Sequence, residues 1–319
     1  MPAPPHDSWP GRMNDNSDLA AEVAAYFDRR SATYDAGDFH PRLTARLIEA
    51  AGIKAGQTVL DVATGTGLVA IEAARRVGAS GRVIGLDISP GMLAQARRKI
   101  DDLALPNIEL REGDACTADL PPGGFDHILC SAALVFMTDI PAVLRGWHRF
   151  LKPGGYVGFD APAGNSTAAG ATLAPLAFSH GISLGYARLR TREACREALA
   201  DAGFEVAHIH TEIITQRIMP LSEIDAAWAG IINHPLSRPL LDLPPDTLAR
   251  LRDDFRAKIA SLATPEGIVD RNIMHIAFGR KPRPCALGEA GTGRAPIASL
   301  ASFRGRAQDE AVQHEEPPR

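Results

Sequence analysis

The residues best placed to do chemistry lie in one run, Val59-Leu-Asp-Val-Ala-Thr-Gly-Thr-Gly67, where an apolar stretch of strand type gives way to two glycines and then a helical pattern. Backbone without Cβ atoms at Gly65 and Gly67 lets a ligand come into contact. Free N–H groups at the start of the following helix favour an anion or carboxylate there. The bend alone leaves the ligand open. Gly65-x-Gly67-x-x-Ala70, with Asp87 about 20 residues on, also satisfies a dinucleotide fingerprint, and an acid after a second strand binds a ribose diol in either case.

Four further features favour a sulfonium nucleoside. Asp61 sits inside the end of the first strand, where an acid suits a cationic amino-acid group better than a pyrophosphate. Glu112-Gly-Asp-Ala115 follows a third strand, where a carboxylate can accept from an adenine amino group. Phe125-Asp-His-Ile-Leu-Cys-Ser131 leads out of a fourth strand, and Leu151-Lys-Pro-Gly-Gly155 closes a helix before a fifth. Over roughly residues 20–160 these motifs resemble the class I S-adenosylmethionine (SAM)-dependent methyltransferases, in particular the ubiquinone/menaquinone-biosynthesis C-methyltransferases and related small-molecule enzymes.

The resemblance implies SAM as cofactor and S-adenosylhomocysteine (SAH) as product, with no metal. By position it implies that Asp61, Ala63, Thr64, Gly65, Thr66 and Gly67 surround the methionine end. Asp87 then holds the ribose hydroxyls beside Ile88 and Met92, while Asp114 and Ala115 frame the adenine. Ser131 contacts SAM near the reacting edge, and Tyr34 matches a tyrosine of the family's N-terminal lid. One departure is visible: Ala63 replaces the first glycine of the motif and is expected to keep ordinary φ/ψ. The implied activity is in-line SN2 methyl transfer to a small organic acceptor, aromatic or natural-product-like, at C, N or O. The alternatives are non-methylating chemistry on the same fold, or an NAD-dependent oxidoreductase.

A sulfonium methyl is already activated, so a base matters only where the acceptor must lose a proton. His180, His234 (in Asn233-His-Pro235) and Tyr34 are the catalytic candidates, with His40 also near the lid; His148, His208, His210 and His275 suit structural roles. Ile214, Ile218, Met219, Trp228, Ile231, Ile232, Leu236 and Leu240, with Phe136, Met137 and Phe178, could enclose an apolar acceptor or form a core of their own.

The elements that must position these groups alternate. Strands are expected at 58–62, 82–87, 108–110, 125–131, 156–160, 204–212 and 272–279, with amphipathic helices between them. Ser89-Pro90 and Asp139 serve as helix starts. This is the pattern of an α/β, Rossmann-like, mostly parallel seven-stranded sheet with helices on both faces. A helical cap is expected between the last two strands, at about 213–271, where Leu248, Leu251, Phe255, Ile259 and Leu262 make a stripe. The domain is expected at 19–281, with Pro-rich disordered segments at 1–18 and 282–319.

At 319 residues, 45% hydrophobic and a net charge of −4, the chain has no basic field for nucleic acid or anionic lipid. Its four cysteines, Cys116, Cys130, Cys195 and Cys285, lack zinc spacing. No signal-peptide pattern or membrane-length apolar run is visible, so a cytoplasmic location is expected, with a small molecule as partner and a homo-oligomer left open.

Overall fold

The computed structural model describes residues 16–185 and 188–284. Strands β1 (Thr58–Val62), β2 (Arg82–Asp87), β3 (Ile108–Glu112), β4 (Phe125–Cys130) and β5 (Leu151–Pro162) run parallel. Strands β6 (Glu205–Met219) and β7 (Ile268–Arg280) complete one sheet in the order β3-β2-β1-β4-β5-β7-β6, with β7 antiparallel to both neighbours. The five parallel strands therefore present their C-terminal ends along one edge, where open α/β sheets hold ligands.

Helices α1 (Asn16–Arg30) and α2 (Phe39–Ala51) precede β1, α3 (Leu68–Val77) and α4 (Pro90–Asp102) follow β1 and β2, and α5 (Ile140–Phe150) follows β4. Ser89 caps α4 by accepting from the Met92 N–H (3.1 Å), and Asp139 caps α5 by accepting from Ala142 (2.8 Å), so both sequence-marked starts hold. On one face of the sheet Leu144, Trp147 and Phe150 of α5 pack on Ile128, Val157 and Phe159. On the other, Leu47, Ile48, Val69 and Val77 of α2 and α3 pack on Val59, Val83 and Leu129. Burying both faces explains why the parallel strands are near-continuous apolar runs.

Several boundaries differ from expectation. Helix α5 stops at Phe150, and Lys152–Gly155 forms a bulge inside β5, with Leu151 paired to Phe125 and Tyr156 to His127. Strands β6 and β7 run past residues 212 and 272, so the insertion occupies 220–267 rather than 213–271. Helices α6 (Ala168–Ser179) and α7 (Arg192–Asp201) follow β5; α8 (Ile224–Ile232) and α9 (Pro245–Ala260) lie in the insertion. Leu173 of α6 shares one apolar core with Leu240, Leu251, Phe255 and Ile259, so the segment after β5 and the insertion build a single cap. Leu262, the last residue of the expected stripe, lies beyond α9 and is 46% exposed. Residues 16–18 belong to α1. The rest of the expected N-terminal arm, the tail from 285, and Cys285 lie outside the described residues. Among the described residues no helix is long and apolar enough to cross a membrane, and no group of three His, Cys, Asp or Glu is placed to hold a metal ion.

Candidate functional site

The ends of β1, β2 and β4 open on a cavity of about 430 Å³ whose floor includes Ala63 and Gly65. Gly65 has φ 55°, and a Cβ there would meet nothing nearer than the Ala63 carbonyl at 4.0 Å, so space for a ligand lies directly before the bend. Asp87 ends β2 on the same wall. Its carboxylate accepts from the Gly65 N–H (2.7 Å) and the Ser89 N–H (2.8 Å), tying the bend to the start of α4. Burial pushes the Asp87 pKa up, and these N–H donors pull it back. Asp114 and Ala115 line the cavity after β3, where Asp114 also accepts from the Cys116 N–H (2.8 Å). Ile88, Met92, Ser131 and Tyr34 are on the wall too.

Asp61, Thr64, Thr66 and Gly67 are not on that wall; they support the bend from behind. Asp61 is 1% exposed and receives the Thr64 hydroxyl at 2.5 Å and the Ala70 N–H; burial raises its pKa to about 7. The expected contact between this acid and a cationic ligand group is therefore not made by its position. Thr66 donates to Asp35 (2.8 Å), which pairs with Lys99 (2.7 Å), fastening the segment after α1 to the core. Ala63 does not keep ordinary φ/ψ: it holds φ 54°, the left-handed geometry the family's glycine would take without strain. Ala132 (φ 53°) and Thr167 (φ 53°) are in the same region, and all three line a cavity, which is where such strain collects.

Helix α1 covers the first cavity with Leu19, Ala20, Val23 and Phe27. Its Asp28 accepts from the Gly91 N–H (2.8 Å) and from the Ser89 hydroxyl, placing a carboxylate on the N-terminus of α4. Glu22 pairs with Arg238 of the cap. Sequence reading found Tyr34 and missed Asp28, because a lone acid in a helix carries no spacing signal.

A second cavity of about 380 Å³ shares Phe27, Tyr34, Ala132 and Phe136 with the first. Phe27 meets Phe136 edge-on (5.3 Å), Phe136 lies 5.3 Å from the His234 ring, and His40 stacks on Tyr34 at 4.0 Å. Burial, aided by the Arg30 charge, lowers the His234 pKa to about 4; burial likewise takes His40 to about 4 against the pull of Asp35. Burial, then Asp160 and Asp87, push the Tyr34 phenol upward. The His234 Nδ1 accepts weakly from the Leu236 N–H (3.4 Å), which leaves its proton on Nε2. His40, by contrast, makes ring contacts and no hydrogen bond among the described residues.

Asp160, unnoticed in sequence, ends β5 and lines this second cavity. It is 1% exposed and accepts from the Ser131 hydroxyl and the Ala132 N–H, each at 2.8 Å; burial raises its pKa to about 7. Its signal was the one that marked Asp87, an acid finishing a parallel strand. His180 is not brought here: it is exposed at the end of α6 and lines neither cavity. Of the apolar set, Ile231, Leu236 and Phe136 reach the second cavity, and Phe136 and Met137 the first. Met219, Trp228, Ile232 and Leu240 belong to the cap core, and Ile214 packs with Leu43 and Met274. Phe178 (67%) and Ile218 (44%) are exposed.

Residues 59–155 match the family model described as a methyltransferase domain. Aklanonic acid methyltransferase of Streptomyces sp. (strain C5) is 34% identical over 152 residues, 47% of this chain and 69% of that protein. The chain belongs to the class I SAM-dependent methyltransferases. A ubiquinone/menaquinone biosynthesis C-methyltransferase of Cellvibrio japonicus is 38% identical to this methyltransferase over 143 residues, 43% of this chain and 57% of that protein, so the match spans little more than half of that relative. Phosphoethanolamine N-methyltransferase 2 of Haemonchus contortus, solved with SAM, superposes with a TM-score of 0.52 at 19% identity, over 86% of this chain and 62% of that one, and shares the fold.

Proposed function

We propose that this methyltransferase carries a methyl group from the first cavity to a small organic acceptor in the second. The observation that carries the reading is the shared wall of Phe27, Tyr34, Ala132 and Phe136, which brings a nucleoside-sized chamber and an aromatic-lined one into contact at the strand ends. The first chamber suits SAM: an open bend, acids at the ends of two strands, and apolar Ile88 and Met92 between them. Asp87 would hold the ribose hydroxyls, Asp114 and Ala115 the adenine, and Ala63 and Gly65 the methionine end. Bound SAM supplies an electrophilic methyl carbon, and the departing bonding pair leaves sulfur as a neutral thioether.

The protein's own contribution is alignment, exclusion of water and management of one proton. His40 is neutral at pH 7 with both ring nitrogens unengaged, so it takes the proton of an acceptor hydroxyl, amine or activated ring carbon. His234, its Nδ1 engaged by Leu236, presents Nε2–H as a donor that orients the acceptor. Tyr34 stays a phenol and separates the two chambers. The test is incubation with methyl-labelled SAM and a panel of phenols, hydroxynaphthoates and quinols, read by mass spectrometry. Label should appear in one product in step with SAH. Products formed without label, or no labelled product across the panel, would overturn the reading.

A further inference from the structure

The second cavity is cationic. Arg30 and Arg190 both line it, and among the described residues neither is ion-paired to a carboxylate. Arg30 donates to the Tyr26 hydroxyl (2.5 Å), with its guanidinium 5.2 Å from that ring's centroid. The one acid among the described lining residues is Asp160, whose two oxygens are taken by Ser131 and Ala132.

Arg190 is held as a preformed receptor. Its carbonyl accepts from the Gly164 N–H (3.0 Å) and from His275 Nε2 (2.9 Å), and His275 is fixed in turn at Nδ1 by the Thr211 hydroxyl (2.8 Å). Its guanidinium lies against Gly164, where a Cβ would sit 3.5 Å from Nε, and Nη2 donates to the Gly164 carbonyl. A guanidinium carries five N–H donors in a planar fork, so one bond to a carbonyl leaves a face for a bidentate partner. Arg190, Gly164 and Thr167 line the second cavity alone, away from the wall shared with the first.

Resting on the reading of this cavity as the acceptor chamber, we propose that the acceptor is an organic anion: Arg190 grips its carboxylate on the unshared side, and its nucleophilic atom is presented at the aromatic wall beside His40. The carboxylate is a handle and not the methylated group, since an oxygen engaged by a guanidinium is a weaker nucleophile and is held away from the shared wall. Methylation of a ring hydroxyl then balances: the O–H proton passes to His40, an oxygen pair forms the bond to the methyl carbon, and the C–S pair returns to sulfur.

The test uses the full chain saturated with SAH, titrated calorimetrically with salicylate and with salicylamide, which share ring and hydroxyl but differ in charge. Salicylate should bind about tenfold tighter or better, as a charge-assisted bidentate pair allows. Arg190→Gln should abolish that preference while leaving SAH and salicylamide affinities unchanged, and Arg190→Lys should recover part of it. Equal affinity of the two probes in the wild type, equal weakening of both by Arg190→Gln, or binding of neither while SAH binds would overturn the proposal. A neutral phenol methylated as fast as its carboxylated counterpart would sink the anion and leave the methyltransferase reading intact. Loss of SAH binding in the wild-type chain would overturn both.

Discussion

Replacing Gly91 by alanine tests whether the lid is held through the start of α4. A Cβ on Gly91 would lie 2.8 Å from Asp28 Oδ1, 3.2 Å from Ser31 Oγ and 3.3 Å from Asp28 Cα. The first distance is too short to survive, and the third involves backbone, so Asp28 must swing off or α1 must lift. What is lost is a carboxylate accepting from the Gly91 N–H and the Ser89 hydroxyl, about 1.5–3 kcal/mol for charged hydrogen bonds. Because α1 roofs the first cavity, that loss should appear as SAH affinity weakened about 10- to 100-fold. Within α4 itself alanine is favoured over glycine by about 0.5–1 kcal/mol, so thermal unfolding without ligand should be unchanged or slightly later. Asp28→Ala should weaken SAH to the same degree, and the double variant no further, because both remove one contact. SAH affinities within twofold of wild type in both variants, or losses that add, would refute the coupling of lid to ligand.

Other consequences are checked as directly. Asp87→Asn keeps one acceptor oxygen for two backbone donors and for the ligand, so SAH affinity should fall about tenfold or more by calorimetry, and a change below threefold would count against its role. Ala63→Gly removes a left-handed alanine worth about 1–2 kcal/mol of strain and adds about 0.4–1 kcal/mol of unfolded-chain entropy. Its denaturant midpoint should therefore hold or rise, and a clear drop would contradict the geometry. With His40 lowered to about pKa 4, the proton-accepting form persists under mild acid, so kcat should show no loss from this group between pH 7 and 5. An acid limb near 6.5 that His40→Gln abolishes would refute that. By linkage, an unfolded imidazole protonates near 6.5 and the folded His40 and His234 only near 4. Their stability contribution is thus complete above about pH 6.5 and lost as pH falls toward 4, and His234→Gln should flatten that dependence in acid unfolding titrations.

The parallel half of the sheet was legible because each strand is a short apolar run ended by a glycine, a cap or an acid. The last hairpin was not. Register shifts at Val206/His208 and Ile213/Thr215 interrupt the alternation of β6, so its polar outer half, Thr215-Gln-Arg217, reads as the start of an insertion. In the site, Asp87, Asp114 and Ser131 were found because they terminate strands at the ligand edge. The same rule applied to β5 would have found Asp160. Asp61 shows its limit: an acid at a strand end can turn inward, and here the Thr64 hydroxyl and Ala70 N–H claim it. Arg190 was out of reach, since its place depends on pairing between β5 and β7 that brings His275 behind it. Histidine type alone also could not separate His180, exposed on α6, from His40 and His234.

Met219 pairs with Ile268, so the polypeptide departs from the sheet and rejoins it at facing rungs of one ladder. Segment 220–267 contributes Ile231, His234 and Leu236 to the second chamber and nothing to the first. A graft of different length or sequence between those two anchor points would leave strand spacing and the nucleoside chamber untouched. Preference for one acceptor over another can therefore drift, or be engineered, as an exchangeable part while the donor side stays fixed.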